Sequence, residues 1–222
     1  MEFPSITLGD SKNDVLVFLA GFPDDHFSSL GPLLDEFKKT HFVISLCHPG
    51  FENTEEKRRL WGYDFEELLP MMQRTVARLA GDRKVTLIIH DWGSFTGLLF
   101  ANKYAEMVTR VVTIDVGLTA KLPPPSDLFY ITYYQWHFAC FYVVSQIINV
   151  TLGQLMFKLF YAWMKLCPFL SPVPYDVNRP SHRPSNEVSV EMCYPYFWFW
   201  LHFFQGTKVA PVFPTCPVLF MV

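Results

Sequence analysis

Four short apolar runs recur along the first half of the chain, at 15–20 (VLVFLA), 41–46 (HFVISL), 85–89 (VTLII) and 108–114 (VTRVVTI). Each gives way to turn formers: Gly21-Phe22-Pro23-Asp24-Asp25, His48-Pro49-Gly50, His90-Asp91-Trp92-Gly93 and Asp115-Val116-Gly117. Near-continuous apolarity, with little in/out alternation, is the mark of strands covered on both faces, and it predicts a parallel sheet. Between the second and third runs the period changes. Asp64 and Glu67 have capping-box spacing, and Phe65, Leu68, Leu69, Met72, Val76 and Leu79 then fall on one helical face. Pro70 lies within that stretch and is expected to kink the helix or delay its start. Strand and helix in alternation predict an α/β fold with right-handed crossovers, a mostly parallel sheet and helices on both faces. Little chain precedes the first run, so any earlier strand is expected to be short, around 6–8.

Composition divides the chain. Its 222 residues carry a formal net charge of −3, but 31 of the charged residues lie in 1–127 and only 8 in 128–222. The one basic cluster, 57–59, is flanked by Glu52, Glu55 and Glu56, so nucleic acid is not an expected partner. Half the residues are apolar, which excludes disorder as the main state. The five cysteines, Cys47, Cys140, Cys167, Cys193 and Cys216, are scattered without CxxC spacing; they suggest free thiols, with neither a disulfide framework nor a metal site. The first residues show no basic region followed by an apolar run, so an intracellular protein, cytoplasmic or membrane-associated, is expected.

The stretch from Leu128 to Phe157 has no Asp, Glu, Lys or Arg and exceeds the ~20 residues that cross a bilayer. Ser145, Gln146, Asn149, Thr151 and Gln154 interrupt its best window, and Gln146, Asn149 and Gly153 share a helical face. Two readings stand: a helical layer packed on the sheet with a polar stripe, or membrane insertion or surface association. The aromatic run at 194–204 (YPYFWFWLHFF) fits either one, as core or as interfacial anchor. Pro123, Pro124 and Pro125 mark the change of composition, and 216–222 (CPVLFMV) reads as one more buried strand. The expected organisation is an α/β core at 1–122, a helical aromatic cap or membrane-associated region at 123–211, and a returning core strand at 212–222.

A strand ending in His90-Asp91-Trp92-Gly93-Ser94 and running into a helix has the context of a nucleophile elbow, with Asp91 at the apex. Ser94 is an unconvincing nucleophile, because Trp92 stands two before it where a tight elbow wants glycine. With Gly21-Phe22-Pro23 at an earlier strand end, the chain resembles the α/β-hydrolase superfamily, and within it the epoxide hydrolase and haloalkane dehalogenase branch. The resemblance covers about 15–117, and 216–222 is similar to the strand that follows that family's helical cap. It implies Asp91 as a nucleophile that forms an alkyl ester with a small apolar epoxide or halide. Backbone amides of Phe22 and Trp92 are implied as the oxyanion hole, and no cofactor or metal is needed. Cap tyrosines donate protons in the epoxide branch; Tyr133, Tyr134, Tyr194 and Tyr196 are candidates that the sequence does not rank. An aspartate suits this task because its carboxylate is ionised at neutral pH and attacks without a base.

Some positions depart from the family pattern. Ala20 stands where the family has His before Gly-Phe-Pro, which is expected to loosen support of the oxyanion hole. Ile89 stands where a small residue usually precedes the elbow, which is expected to crowd it. The family places its triad histidine after the strand that 216–222 resembles, and His26, His41, His48, His90, His137, His182 and His202 all precede it. Asp115 is a candidate acid, since one variant of the family carries its acid after the strand that follows the elbow helix. The expectation is a fold whose C-terminal strand-helix elements are missing, inactive or limited to a single turnover, with self-association at the exposed sheet edge. The competing expectation is a non-catalytic membrane-associated or partner-binding protein built on the same fold.

Overall fold

Six strands form one sheet in the order β1-β3-β2-β4-β5-β6, in a computed structural model that describes residues 2–52, 59–114, 124–166, 187–207 and 214–221. The strands are β1 (Ser5–Leu8), β2 (Val15–Leu19), β3 (Phe42–Leu46), β4 (Val85–His90), β5 (Val108–Ile114) and β6 (Val218–Met221). Only β1 runs antiparallel, against β3; the remaining pairs are parallel. Every residue of β2 and β3 is buried, as continuous apolar runs require.

The two faces of the sheet have separate cores. Leu16, Phe18 and Ala20 point to one side with Val43 and Ile88, and α1 (Gly31–Phe37) covers them through Leu34 and Phe37. Val15, Val17 and Leu19 point to the other, into the large core shared with α2 (Phe65–Ala80) and α3 (Trp92–Lys103). The Asp64 backbone N–H donates to Glu67 Oε2 at 3.2 Å, so the expected cap interaction forms, and α2 runs unbroken through Pro70.

The uncharged stretch is not one helix. It divides into α4 (Pro125–Ile147) and α5 (Val150–Leu166), and the break falls at Asn149, whose side chain accepts from the N–H groups of Thr151 and Leu152. Among the described residues no helix is long and apolar enough to cross a membrane, so of the two readings of 128–157 the structure carries the helical layer and not a membrane span. The polar residues that interrupted the run have internal partners: Gln146 accepts from Trp61 N–H, Ser145 donates to Tyr142 C=O, and Gln154 bonds to both Val188 and Val190 backbones. Gly153 lets α5 close on α4, since a Cβ there would lie 2.6 Å from Ser145 Cβ. A last helix, α6 (Tyr194–Phe204), packs on α4.

Among the described residues β6 pairs with β5 alone, at the end of the sheet where an exposed edge was expected; Leu219 is 59% and Met221 51% exposed, so the strand read at 216–222 is not buried as its apolarity suggested.

Candidate active site

Because β2 and β4 are neighbours with Leu19 level with Ile89, the loops that follow them leave the same edge of the sheet side by side. That edge is the usual place for ligands in open parallel sheets. The loop after β4 is one residue long: Asp91 joins β4 directly to α3, with φ 52 and ψ −128. A non-glycine residue at positive φ is strained, and such strain persists where the surroundings hold it.

Two glycines do the holding. A Cβ on Gly93 would lie 2.1 Å from the Leu19 carbonyl oxygen, so α3 sits directly on the end of β2. A Cβ on Gly21 would meet the Trp92 amide nitrogen at 2.2 Å and Asp91 Oδ1 at 2.3 Å. The loop after β2 thus lies against the first turn of α3, where the helix leaves its own N–H groups without internal acceptors. The Phe22 N–H donates to Asp91 Oδ1 at 2.6 Å. Phe22, Asp91 and Trp92 are therefore brought together.

Both departures from the family pattern meet an unexpected partner. His48, at the end of β3, is buried and places Nδ1 3.2 Å from the Ala20 carbonyl and Nε2 3.1 Å from Thr96 Oγ1. An imidazole from the loop after a different strand thus supports the backbone just before Gly21, where loosening at Ala20 was expected. Burial drives the His48 pKa down to about 4 and keeps the ring neutral, so Nδ1–H donates to Ala20 and Nε2 accepts from Thr96. Ile89 does not crowd the elbow, because Gly97 makes room: a Cβ there would lie 2.7 Å from Ile89 Cγ2. Neither pairing was visible in the sequence, where His48 was one strand-end histidine among several and Gly97 one helical glycine.

An aromatic roof covers Asp91. The Tyr196 ring stands edge-on to Trp92 at 5.0 Å and to Phe22 at 5.3 Å, with Phe138 at 5.3 Å and Tyr134 at 6.2 Å. Burial first, then the Asp91 charge, holds the Tyr196 hydroxyl well above the usual phenol range, partly countered by a hydrogen bond with the Trp92 side chain. Its proton stays on at any ordinary pH. The four tyrosine candidates thus separate. Tyr134 and Tyr196 belong to the roof. Tyr194 packs against Phe51 and Tyr63, and Tyr133 faces His137, Phe160 and Trp163. Ser94 is fully buried and accepts from Thr113 Oγ1 at 3.0 Å, a structural placement. Asp115 lies outside the described residues. Cys47, Cys140, Cys193 and Cys216 are free thiols, and among the described residues no three His, Cys, Asp or Glu side chains are grouped as metal ligands.

Comparison with known proteins agrees with this fold. The family described as "alpha/beta hydrolase fold" matches residues 14–139. Epoxide hydrolase 3 of Xenopus tropicalis is 30% identical over 134 residues, 58% of this chain and 36% of that protein. Human epoxide hydrolase 4 is 29% identical over 115 residues, 52% of this chain and 31% of that protein. The chain thus spans about a third of the length of these curated relatives. Among solved structures, an epoxide hydrolase from Vigna radiata superposes with a TM-score of 0.63 at 18% identity, covering 97% of this chain and 73% of that one. An inhibitor complex of Bacillus megaterium epoxide hydrolase gives 0.56 at 20% identity, over 88% and 68%. At these identities the superpositions speak for the fold.

Proposed function

The chain belongs to the alpha/beta hydrolase fold family, and on that premise we propose that Asp91 is a nucleophile that opens small apolar epoxides, or displaces halide from alkyl halides, by forming an ester. The observation that carries this reading is the strained Asp91 at the strand-helix junction, with Oδ1 held by Phe22 N–H beneath the Tyr196 ring. With Oδ1 anchored, Oδ2 attacks the epoxide carbon. The carbon–oxygen bond breaks, and the ring oxygen takes a proton from the Tyr196 or Tyr134 hydroxyl, which solvent restores. A buried, protonated phenol suits that task, because it holds its proton until an alkoxide develops beside it. The site's rings select an apolar substrate body.

Hydrolysing the ester takes an activated water. The Phe22 and Trp92 amides would stabilise the oxyanion formed when that water adds. His48 is turned to Ala20 and Thr96, His137 to Tyr133 C=O, His41 to Thr40 and His26 to Ser45, while His202 is paired with an acid, Asp64, but has its ring against Phe65 and Trp198 rather than against Phe22 or Tyr196, so none of these five is placed as the base. We therefore expect the 222-residue chain to stop at the ester. Incubation with styrene oxide followed by intact-mass spectrometry should show one added mass that persists, and Asp91→Asn should abolish it. No adduct, or one indifferent to that substitution, would sink the nucleophile assignment; sustained diol release would sink the single-turnover claim.

A further inference from the structure

Trp61 carries an unusual backbone for a bulky residue, with φ 62. Both of its main-chain polar groups are taken by side chains of the cap helices. Its N–H donates to Gln146 Oε1 on α4 at 3.1 Å, and its carbonyl accepts from Trp198 Nε1 on α6 at 2.9 Å. The Trp61 ring lies 5.1 Å from Phe197. At the next residue the fit is closer still, because a Cβ on Gly62 would stand 2.5 Å from both Cβ and Cγ of Tyr194. Two residues further on, Asp64 Oδ1 accepts from His202 Nε2 at 2.8 Å, in a pair that is mostly buried. Among the described residues His202 Nδ1 is buried without a partner, so Asp64 supplies the ring's hydrogen bond while Phe65 and Trp198 pack against it. Arg59 braces this segment from outside, bonded to Glu67 and lying over the Tyr63 ring.

We infer that residues 61–64 form a clasp that grips α6 and sets the height of Tyr196 over Asp91, with His202 and Trp198 as positioning residues for proton donation. The clasp holds α6 along its length, through Tyr194 at its first residue, Trp198 in the middle and His202 near the end. Tyr196 lies between the first two grips, so its displacement from Asp91 follows from any slip of the helix. A strained Trp61 backbone is what remains when both of its polar groups are committed to an element remote in sequence. The pair is also directional, since Asp64 opens α2 and His202 closes α6, and a hydrogen bond between charged or chargeable groups is sensitive to a shift of a fraction of an ångström.

This inference rests on the proposed role of Asp91, and two probes separate the two claims. Styrene oxide needs a proton at its oxygen as the ring opens, whereas benzyl bromide releases a stable anion without one. The rate of Asp91 ester formation, read by peptide mass mapping, should fall about tenfold with styrene oxide in His202→Leu and change less than about twofold with benzyl bromide, as a lost directional hydrogen bond implies. His202→Gln, which restores a donor to Asp64, should recover most of the styrene oxide rate, and Gly62→Ala should reproduce the loss. Equal slowing of both probes, or slowing of neither, would overturn the clasp. If neither probe labels Asp91 in the unaltered chain, the nucleophile reading fails and the clasp is decided by hydrogen exchange. It then survives if 194–204 loses protection in His202→Leu and regains it in His202→Gln, and falls otherwise.

Discussion

At the elbow the closest approaches are made by backbone, Gly93 against the Leu19 carbonyl and Gly21 against the Trp92 amide, whereas across the cap, Gly153 against α4 apart, the contacts are mostly ring against ring. The elbow region is charged on its outside and continuous in its core. The cap leaves large apolar side chains in the open, with Phe129 65%, Leu159 63% and Phe204 64% exposed, and an apolar groove of about 460 Å³ runs between α4 and α6 beside Trp136, Cys140 and Trp200. The difference is one of tolerance. A backbone contact has no alternative rotamer, so the elbow is right or absent; a cluster of rings can shift by small rotations and needs separate directional bonds, such as those at 61–64, to be held in one place.

The harshest way to break that contrast is Gly93→Ala. The added carbon has only main-chain atoms to displace, so the elbow should fail to form, at a cost above the ~1–3 kcal/mol usual for overpacking. Loss of soluble folded protein, or a collapsed unfolding midpoint, would report it; an unaltered midpoint would show that the backbone yields. A second comparison divides the cap itself. Phe138 is 3% exposed and touches Phe22, Phe157 and Tyr196, so Phe138→Ala should cost about 3–5 kcal/mol in urea unfolding, while Phe129→Ala should stay within about 0.5 kcal/mol. Similar losses for the two would mean the exposed face is covered in solution.

The smallest of the three effects returns to the elbow. His48 has a pKa near 4 when folded against 6.5 when free. As pH falls from 6.5 to 4 the unfolded chain takes up a proton that the folded chain refuses, so stability declines through that window by about 3 kcal/mol and then levels off. His26, also lowered chiefly by burial, acts in the same direction. Unfolding measured at pH 7 and pH 4.5 should differ markedly less in His48→Gln; an unchanged difference would assign the titration elsewhere.

The same contrast governs what the sequence made legible. The four apolar runs of the first half located their strands to within a residue, as with 41–46 against the observed Phe42–Leu46, because burial on both faces leaves an unbroken apolar run bounded by turn formers. Asp91 stood out because an elbow needs a short, characteristic motif. In the cap, nearly every position is apolar whichever way it faces. The division of 128–157 therefore showed only as a group of polar interruptions, Asn149 among them, and the sorting of Tyr134 and Tyr196 from Tyr133 and Tyr194 left no trace in composition. His48 and Gly97 were missed for a different reason: each matters through a partner far off in the chain, Ala20 for one and Ile89 for the other, and single-residue patterns carry no pairwise information.

The grips at 61–64 join residues separated by 137 and 138 positions. During synthesis the first five strands, the elbow and Asp91 are complete once Ile114 has left the ribosome, while Tyr196, His202 and β6 are still to come. At ~5–20 residues per second, several seconds pass in which the nascent sheet presents Phe22 and Trp92 to water with nothing above them. The roof of this site is thus a late arrival, and whatever shields those rings in the interval governs how much of the chain reaches its native form.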